Sequence, residues 1–381
     1  MEGKRDLSDV VLLLTIFGVI NTNKGLWGKI LSVIQLVRLI VVLTGCIVCN
    51  VSVYLTGIKD SVPRFGIFCT FGIITSLQAT HFWLERHGIT ETVFNLKSLV
   101  LKRNEPKHKM LFKRLSKLGW LAICGLTSTF LIILFFYFIV PLFYDTYLAI
   151  FTDSIETFSL PIPYDGILGT KHPRRSLLYY SIVIYISIWV HCSALASLGY
   201  FTLLYIFVAY MCCEMRIMSE NISDWGELWK QFGTTNETIS SLKTIIRDHQ
   251  ELLRLATGLR DALGLPSLVY SILGPMNITL HSYTILVLIE KDFTLLVINI
   301  VALITWVYAL LFCCVVGEIL QMQSLKFYES LCEIPWYEMP SSIRRELNLI
   351  MFYSIKPVAI HYKGYGYLNL HLFMEVMSTI S

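Results

Sequence analysis

GEILQMQSLKFYESLCEIPWYEMPSSIRRELNLIMFYSIKPVAIHYKGYGYLNLHLF, residues 317–373, is the stretch whose reading decides the fold. It leaves one apolar run through Gly317-Glu318, Gln323-Ser324 and Glu329-Ser330, and passes Trp336-Tyr337 and the basic pair Arg344-Arg345. It enters a final run through Lys356-Pro357 and closes on Leu370-His371-Leu372-Phe373. This pattern predicts a short polar helix-turn segment on one face of a membrane. A last helix carrying Lys356, Lys363, His371 and Glu375 follows it. Charges at membrane depth are costly and face a bundle interior, a partner or water. The last helix is therefore the expected functional seam.

Composition supports a membrane setting for the rest of the chain. Hydrophobic residues make up 55% and charged residues 15%, with a mean hydropathy of +0.62. A soluble domain carries about a quarter charged residues. The apolar residues fall in long blocks, so the expected class is an all-α, polytopic membrane protein. Seven runs come near the roughly 20 residues that a spanning helix needs. They lie at 31–55, 65–84, 119–140, 180–212, 264–289, 293–317 and 354–380. The fourth is longer than a bilayer requires and is expected to project into water or tilt. Only Glu290-Lys291-Asp292 separates the fifth from the sixth, which makes an antiparallel hairpin.

A shorter apolar run, Val10 to Ile20, follows Lys4 and Arg5. It is too short to span, which leaves an interfacial or re-entrant helix or a cleaved signal. Asn21-Thr22-Asn23-Lys24, rather than a small-x-small site, comes next and favours the first reading.

The expected organisation is a cytoplasmic or interfacial segment at 1–30, then spans one to four at 31–212 with an extracellular loop at 141–179. A cytoplasmic amphipathic helical region at 213–263 precedes spans five and six at 264–317. A cytoplasmic anchor segment at 318–353 leads to the last span at 354–381. Lys and Arg set the orientation. The segments 1–30, 85–118, 213–261 and 318–348 together hold 22, and the loops on the opposite side hold 6. Positive residues stay inside, so the N-terminus is expected in the cytoplasm and the C-terminus outside. That is the reverse of a G-protein-coupled receptor.

In the cytoplasmic region Ile239, Leu242, Ile245, Ile246, His249, Leu252, Leu253, Ala256 and Leu259 recur at helical spacing. This is an amphipathic helix, either lying against its own bundle or offering an assembly surface to other subunits. The ten cysteines lie in or near apolar spans, apart from Cys332, and none lies in the 141–179 loop, so no extracellular disulfide is expected. Cys212-Cys213 and Cys313-Cys314 are open to plain packing, palmitoylation or, more weakly, metal binding.

Aromatic residues crowd the outer helix halves, under a loop stiffened by Pro161-Ile162-Pro163. Small-molecule pockets are largely apolar and aromatic with a few polar groups. The candidate ligand-lining residues are Phe68 and Phe71, Phe135, Phe136 and Phe138, Tyr185 and Trp189, and His281 and Tyr283. Ordinary interfacial belt residues are the competing reading. Enzyme chemistry has no foothold: no Walker loop, HExxH or GxSxG is present. No metal or cofactor is expected. Lys356 does not make an opsin, because no Asn-Pro-x-x-Tyr follows it and the orientation is reversed.

These residues resemble the insect odorant receptor family, seven-helix proteins with an inside N-terminus. The matching motifs are Gly317-Glu318, Glu329-Ser330, Trp336-Tyr337, Arg344-Arg345, Lys356-Pro357-Val358 and Leu370-His371-Leu372-Phe373. Weaker matches are Gly25-Leu26-Trp27 and His249-Gln250-Glu251-Leu252-Leu253. The resemblance implies a tuning subunit that forms, with a shared olfactory co-receptor, a heterotetrameric, odorant-gated, non-selective cation channel. It implies a volatile odorant as ligand, membrane lipid around the helices, no nucleic acid, and a plasma-membrane site on an olfactory neuron dendrite. It also implies a pore along the last helix, for which Leu368, His371, Leu372 and Glu375 are candidates. A subunit anchor would use Leu252, Leu253, Trp336, Tyr337, Lys356 and Pro357.

Two departures from the family pattern stand out. Tyr362-Lys363-Gly364 shifts or replaces a small residue and glycine, and relatives continue past the Phe373 region beyond where Ser381 closes this sequence. A helix from Pro357 to Ser381 would still reach roughly 36 Å. Alternative readings are a gustatory receptor-type homomeric channel, whose Thr-Tyr…Gln-Phe ending is absent, and a metabotropic seven-helix receptor or transporter.

Overall fold

The computed structural model describes residues 25–56, 58–102, 123–132, 177–289 and 293–380, with isolated positions among 14–20 and 110–135. Among the described residues the chain is helical apart from short turns and one bridge, Tyr362 to Tyr365. In chain order the helices are α1 (Leu26–Thr56), α2 (Ile58–Leu84), α3 (Arg86–Lys102) and α4 (Ile123–Ile132). They continue as α5 (Leu177–Phe232), α6 (Asn236–Leu288), α7 (Phe293–Cys332), α8 (Ser341–Ser354) and α9 (Leu370–Ile380). Five of these, α1, α2, α5, α6 and α7, are long and apolar enough to cross a membrane.

The long helices exceed any bilayer. With 56, 53 and 40 residues, α5, α6 and α7 run about 84, 80 and 60 Å at 1.5 Å per residue. Hydrocarbon needs only about 30 Å. The expected fourth span and the region at 213–263 are thus parts of continuous helices. The span at 264–289 is the second half of α6. The first half of α6 packs on the ends of α5 and α7, through Trp225 at Thr238 and Phe327 at His249, as one helical extension.

The α5–α6 turn is fixed locally. Gly233 takes a left-handed φ of 64°, which glycine adopts without steric penalty. Thr235 and Thr238 then form a capping box at the start of α6. The Trp225 indole N–H closes the hairpin on the Thr238 carbonyl at 2.8 Å.

Within α6, Pro266 lacks the N–H that would bond the Ala262 carbonyl four residues back. His81 of α2 donates its Nε2–H to that carbonyl at 3.0 Å. A membrane helix tolerates proline where a neighbour restores the lost bond.

The last expected span, 354–380, is not one helix. α8 stops at Ser354, and residues 355–369 run through turns against α6 before α9 begins. Pro357 cannot extend a helix. Lys363, Gly364 and Gly366 all have positive φ, which a right-handed helix excludes. α9 itself has 11 described residues, about 16 Å of helix.

The early apolar run packs into the bundle. Leu14, Val19 and Ile20 are buried in the main core, and Val19 lies against Gly199 of α5. The Gln35 side chain donates to the Ile20 carbonyl at 3.1 Å.

Candidate functional site

Two neighbouring regions between the spanning helices hold the ligand candidates. Phe68, Tyr185 and Trp189 share one apolar cluster, where Ile182, Val183 and Ile186 of α5 meet Cys49 of α1 and Ile298 of α7. Trp189 is fully buried because Gly45 of α1 and Gly72 of α2 leave room for its ring. Any side chain at Gly45 would overlap that ring. The Tyr185 hydroxyl meets Thr44 Oγ1 at 2.6 Å, tying α5 to α1.

Phe71 belongs to a second group. It lies 6.3 Å from Phe130 and edge-on to Trp306 of α7 at 6.1 Å. Trp306 stacks on Tyr270 of α6 at 5.6 Å, and Tyr270 meets Phe201 at 5.6 Å and Tyr200 at 6.0 Å. These ring separations are those of favourable aromatic pairs. The result is an aromatic seam through the middle of the bundle.

Polar groups sit beside this seam. Thr70 donates to Asn277 Oδ1 at 2.6 Å, linking α2 to α6. One turn further along α6, His281 Nδ1 donates to Asn299 Oδ1 of α7 at 3.1 Å. His281 Nε2 is then a lone-pair acceptor, buried and without a hydrogen-bond partner among the described residues. The Trp189 indole N–H is likewise unpartnered there.

Phe135 is half-exposed and Tyr283 half-exposed. Phe136, Phe138 and residues 141–176 of the expected loop lie outside the described residues, and 177–179 form the start of α5. Sequence reading missed Tyr270, Trp306, Phe130, Thr70, Asn277 and Asn299. The asparagines carried a usable signal, since a polar side chain inside an apolar run needs a partner. Nothing in the sequence showed that Trp306 would meet Phe71 and stack on Tyr270.

At the other end the motif residues explain one another. Gly317 of α7 lets the Leu368 carbonyl approach the helix backbone so closely that any Cβ there would overlap it. Glu318 Oε2 accepts from the Leu370 N–H at 3.2 Å, and Asn369 Oδ1 accepts from the Leu372 N–H at 2.9 Å. Together they cap the first turn of α9. Leu368 is buried and Leu372 half-buried against the core, so neither lies on the open side of α9. That side carries His371, Met374 and Glu375, with His371 Nε2 and Glu375 Oε1 3.1 Å apart.

In the extension, Leu252 is buried and Leu253 partly so. His249 stacks on Phe327 of α7 at 5.3 Å and pairs with Ser354 Oγ of α8 at 3.2 Å. Burial pushes the His249 imidazole down to about 4. Ser324 Oγ accepts from the Val358 N–H at 3.0 Å, seating the Lys356-Pro357-Val358 segment on α7. Trp336 packs on the core while Tyr337 and Lys356 remain exposed. Among the described residues no group of His, Cys, Asp or Glu could hold a metal ion.

Known proteins share this architecture. The fold matches the insect olfactory receptor OR5 from Machilis hrabei, solved in complex with eugenol, with a TM-score of 0.75 at 12% identity. The match covers 99% of this chain and 96% of that one. A second structure of the same receptor matches with a TM-score of 0.75 at 13% identity, over 100% of this chain and 96% of that one. In sequence, Odorant receptor 67c of Drosophila melanogaster is 23% identical over 235 residues, 62% of this chain. That alignment spans about half, 54%, of the relative's length. The model of the 7tm odorant receptor family matches residues 66–380. That range takes in α5 to α9, the aromatic seam and every C-terminal motif, and the chain belongs to the 7tm odorant receptor family.

Proposed function

We propose that this chain is an odorant-detecting tuning subunit of a ligand-gated, non-selective cation channel. It would work beside an olfactory co-receptor in the plasma membrane of an olfactory neuron dendrite. The observation that carries the assembly is exposed apolar surface in the segment expected as the cytoplasmic anchor, 318–353. Phe352 is 70% exposed, and Met322, Leu349 and Tyr353 are exposed as well. Surface of this kind in water marks a protein contact. It leads up to the Lys356-Pro357 segment and adjoins Tyr337, the residues suggested for the anchor.

Ligand entry is read from the seam. His281 Nε2 offers an acceptor to a hydroxyl, and Phe71, Tyr270 and Trp306 offer ring surface. A volatile of mixed character, such as a phenol, matches both. A ligand that fits the open arrangement better shifts the population toward it. A swing from mostly closed to mostly open needs about 5.5 kcal/mol of differential binding. His371 and Glu375, on the open side of α9, are the pore-facing polar groups of this reading.

The test is whole-cell current from this chain with an insect olfactory co-receptor, using volatiles that include eugenol, while G-protein signalling is blocked. A fast current requiring both chains is expected. A response abolished by the G-protein block would overturn the channel, and a full current from this chain alone would overturn the co-receptor.

A further inference from the structure

A groove of about 850 Å³ opens between the first turns of α1 and of α3. Its volume lies within the roughly 300–1,000 Å³ of small-molecule sites. Lys29, Arg86 and His87 line it, facing one carboxylate, Glu91. The neighbouring Glu85 is not among its lining residues. Ser32, Thr90 and Asn95 add hydroxyl and amide groups.

Arg86 is held in place. Its guanidinium donates to the Trp83 carbonyl at 2.7 Å and lies 4.2 Å from the centre of the Trp83 ring. It also lines a smaller cavity of about 40 Å³ together with Arg38 and Gln35. α1 begins at Leu26, so the positive end of its helix dipole faces the same space.

The rim of the groove is apolar. Val33 and Phe94 line it, and Leu26 and Trp27 are exposed beside it, at 74% and 71%. A basic recess rimmed by exposed apolar side chains at a helix end has the chemistry of a lipid headgroup site. A soluble anion would gain nothing from that rim.

We propose that the groove between α1 and α3 binds an anionic phospholipid of the cytoplasmic leaflet, with its phosphate on Lys29 and Arg86 and its acyl chains along Leu26, Trp27, Val33 and Phe94. The leaflet rests on the cytoplasmic placement of the N-terminus; the recess itself does not. A lipid here staples α1 to α3, which packs on α6 through Thr92 at Gly258.

The experiment titrates the detergent-purified full chain with short-chain phosphatidylinositol 4,5-bisphosphate, short-chain phosphatidylserine and the soluble headgroup inositol trisphosphate. Each removed cation should weaken lipid binding about fivefold, so Lys29→Gln with Arg86→Gln should lose about twenty-fivefold. Lys29→Gln alone, which leaves the Arg86–Trp83 contacts intact, should still lose about fivefold. Glu91→Gln should bind more tightly, and Lys326→Gln in the extension should match the unaltered chain. Lipid affinity unchanged in Lys29→Gln would overturn the site. Inositol trisphosphate binding as tightly as its lipid would overturn the lipid as occupant. Because the assay uses neither odorant gating nor sidedness, failure of the channel reading leaves it standing. An N-terminal tag reached from outside the cell would overturn the cytoplasmic leaflet.

Discussion

Replacing Gly317 with alanine should damage this protein more than the same change at any other helical glycine on α6 or α7: an added Cβ at Gly264 meets the His361 carbonyl oxygen at 2.9 Å, and the Leu368 carbonyl oxygen lies closer still to Gly317. A Cβ at Gly317 would overlap the Leu368 carbonyl oxygen and lie 2.9 Å from both the Leu368 carbonyl carbon and its Cβ. Ordinary contact begins at 3.4 Å, so the Leu368 backbone must retreat by about 0.5 Å or more. Two hydrogen bonds tie the chain to α7 there, Leu370 N–H to Glu318 Oε2 at 3.2 Å and Gln321 Nε2 to the Leu368 carbonyl at 3.4 Å. Both are already long, and such a shift breaks them.

Overpacking of this kind costs about 1–3 kcal/mol, against a gain of about 1 kcal/mol from alanine's helix propensity. Loss of the α9 cap adds about 1 kcal/mol. Gly274 of α6 is the matched comparison: its added Cβ meets only Tyr270, at 3.8 Å, so Gly274→Ala should keep the propensity gain. The propensity gain is common to both, so the two variants should differ by about 2–4 kcal/mol, roughly 3–5 °C in melting midpoint for a chain of this length. Fluorescence-detected thermal unfolding of the detergent-purified chains measures this. Matching midpoints for Gly317→Ala and Gly274→Ala would refute the argument that Gly317 is there to seat the last helix.

Three further outcomes are expected. The His249 imidazole is buried and neutral, lowered from 6.5 to about 4. Its contribution is complete above pH 6.5 and is lost as pH falls from there toward 4, by about 1.4 kcal/mol at pH 5.5. The melting midpoint should drop between pH 7.5 and 5.5, and the drop should be smaller in His249→Gln; an equal drop in the variant would refute it. His281→Phe should raise the half-maximal concentration of hydroxyl-bearing ligands about tenfold while sparing hydrocarbons, the loss of one buried hydrogen bond; equal shifts for both classes would count against Nε2 as the acceptor. Glu375→Gln should alter conductance or divalent block, and an unchanged current-voltage relation would remove Glu375 from the pore.

The fold class was legible in the sequence wherever one helix answered one apolar run. The runs at 31–55, 65–84, 180–212, 264–289 and 293–317 each fall inside a helix able to cross a membrane. The amphipathic spacing of Leu242, Ile245, His249, Leu252 and Leu259 marked the buried face of α6. Continuity was less legible. Hydropathy stops at the membrane surface, whereas α5 and α6 do not, because hydrogen bonding along a helix is indifferent to the solvent outside. The last run misled for the converse reason. Hydropathy averages over Pro357 and the left-handed positions at 363–366, and those break the helix whatever the polarity around them.

By itself the sequence determined that this is a helical membrane protein and which motifs ally it with the odorant receptors. Those properties are sums over local composition and charge, and they need no partner to be read. The tertiary structure alone decided that Gly317 exists for Leu368 and Glu318 for Leu370, that His81 answers the proline-freed carbonyl of Ala262, and that Phe71 meets Trp306, which in turn stacks on Tyr270. Each is a meeting of side chains far apart in the chain. Such meetings depend on how helices rotate and cross, and that is set by packing rather than by any one segment's pattern.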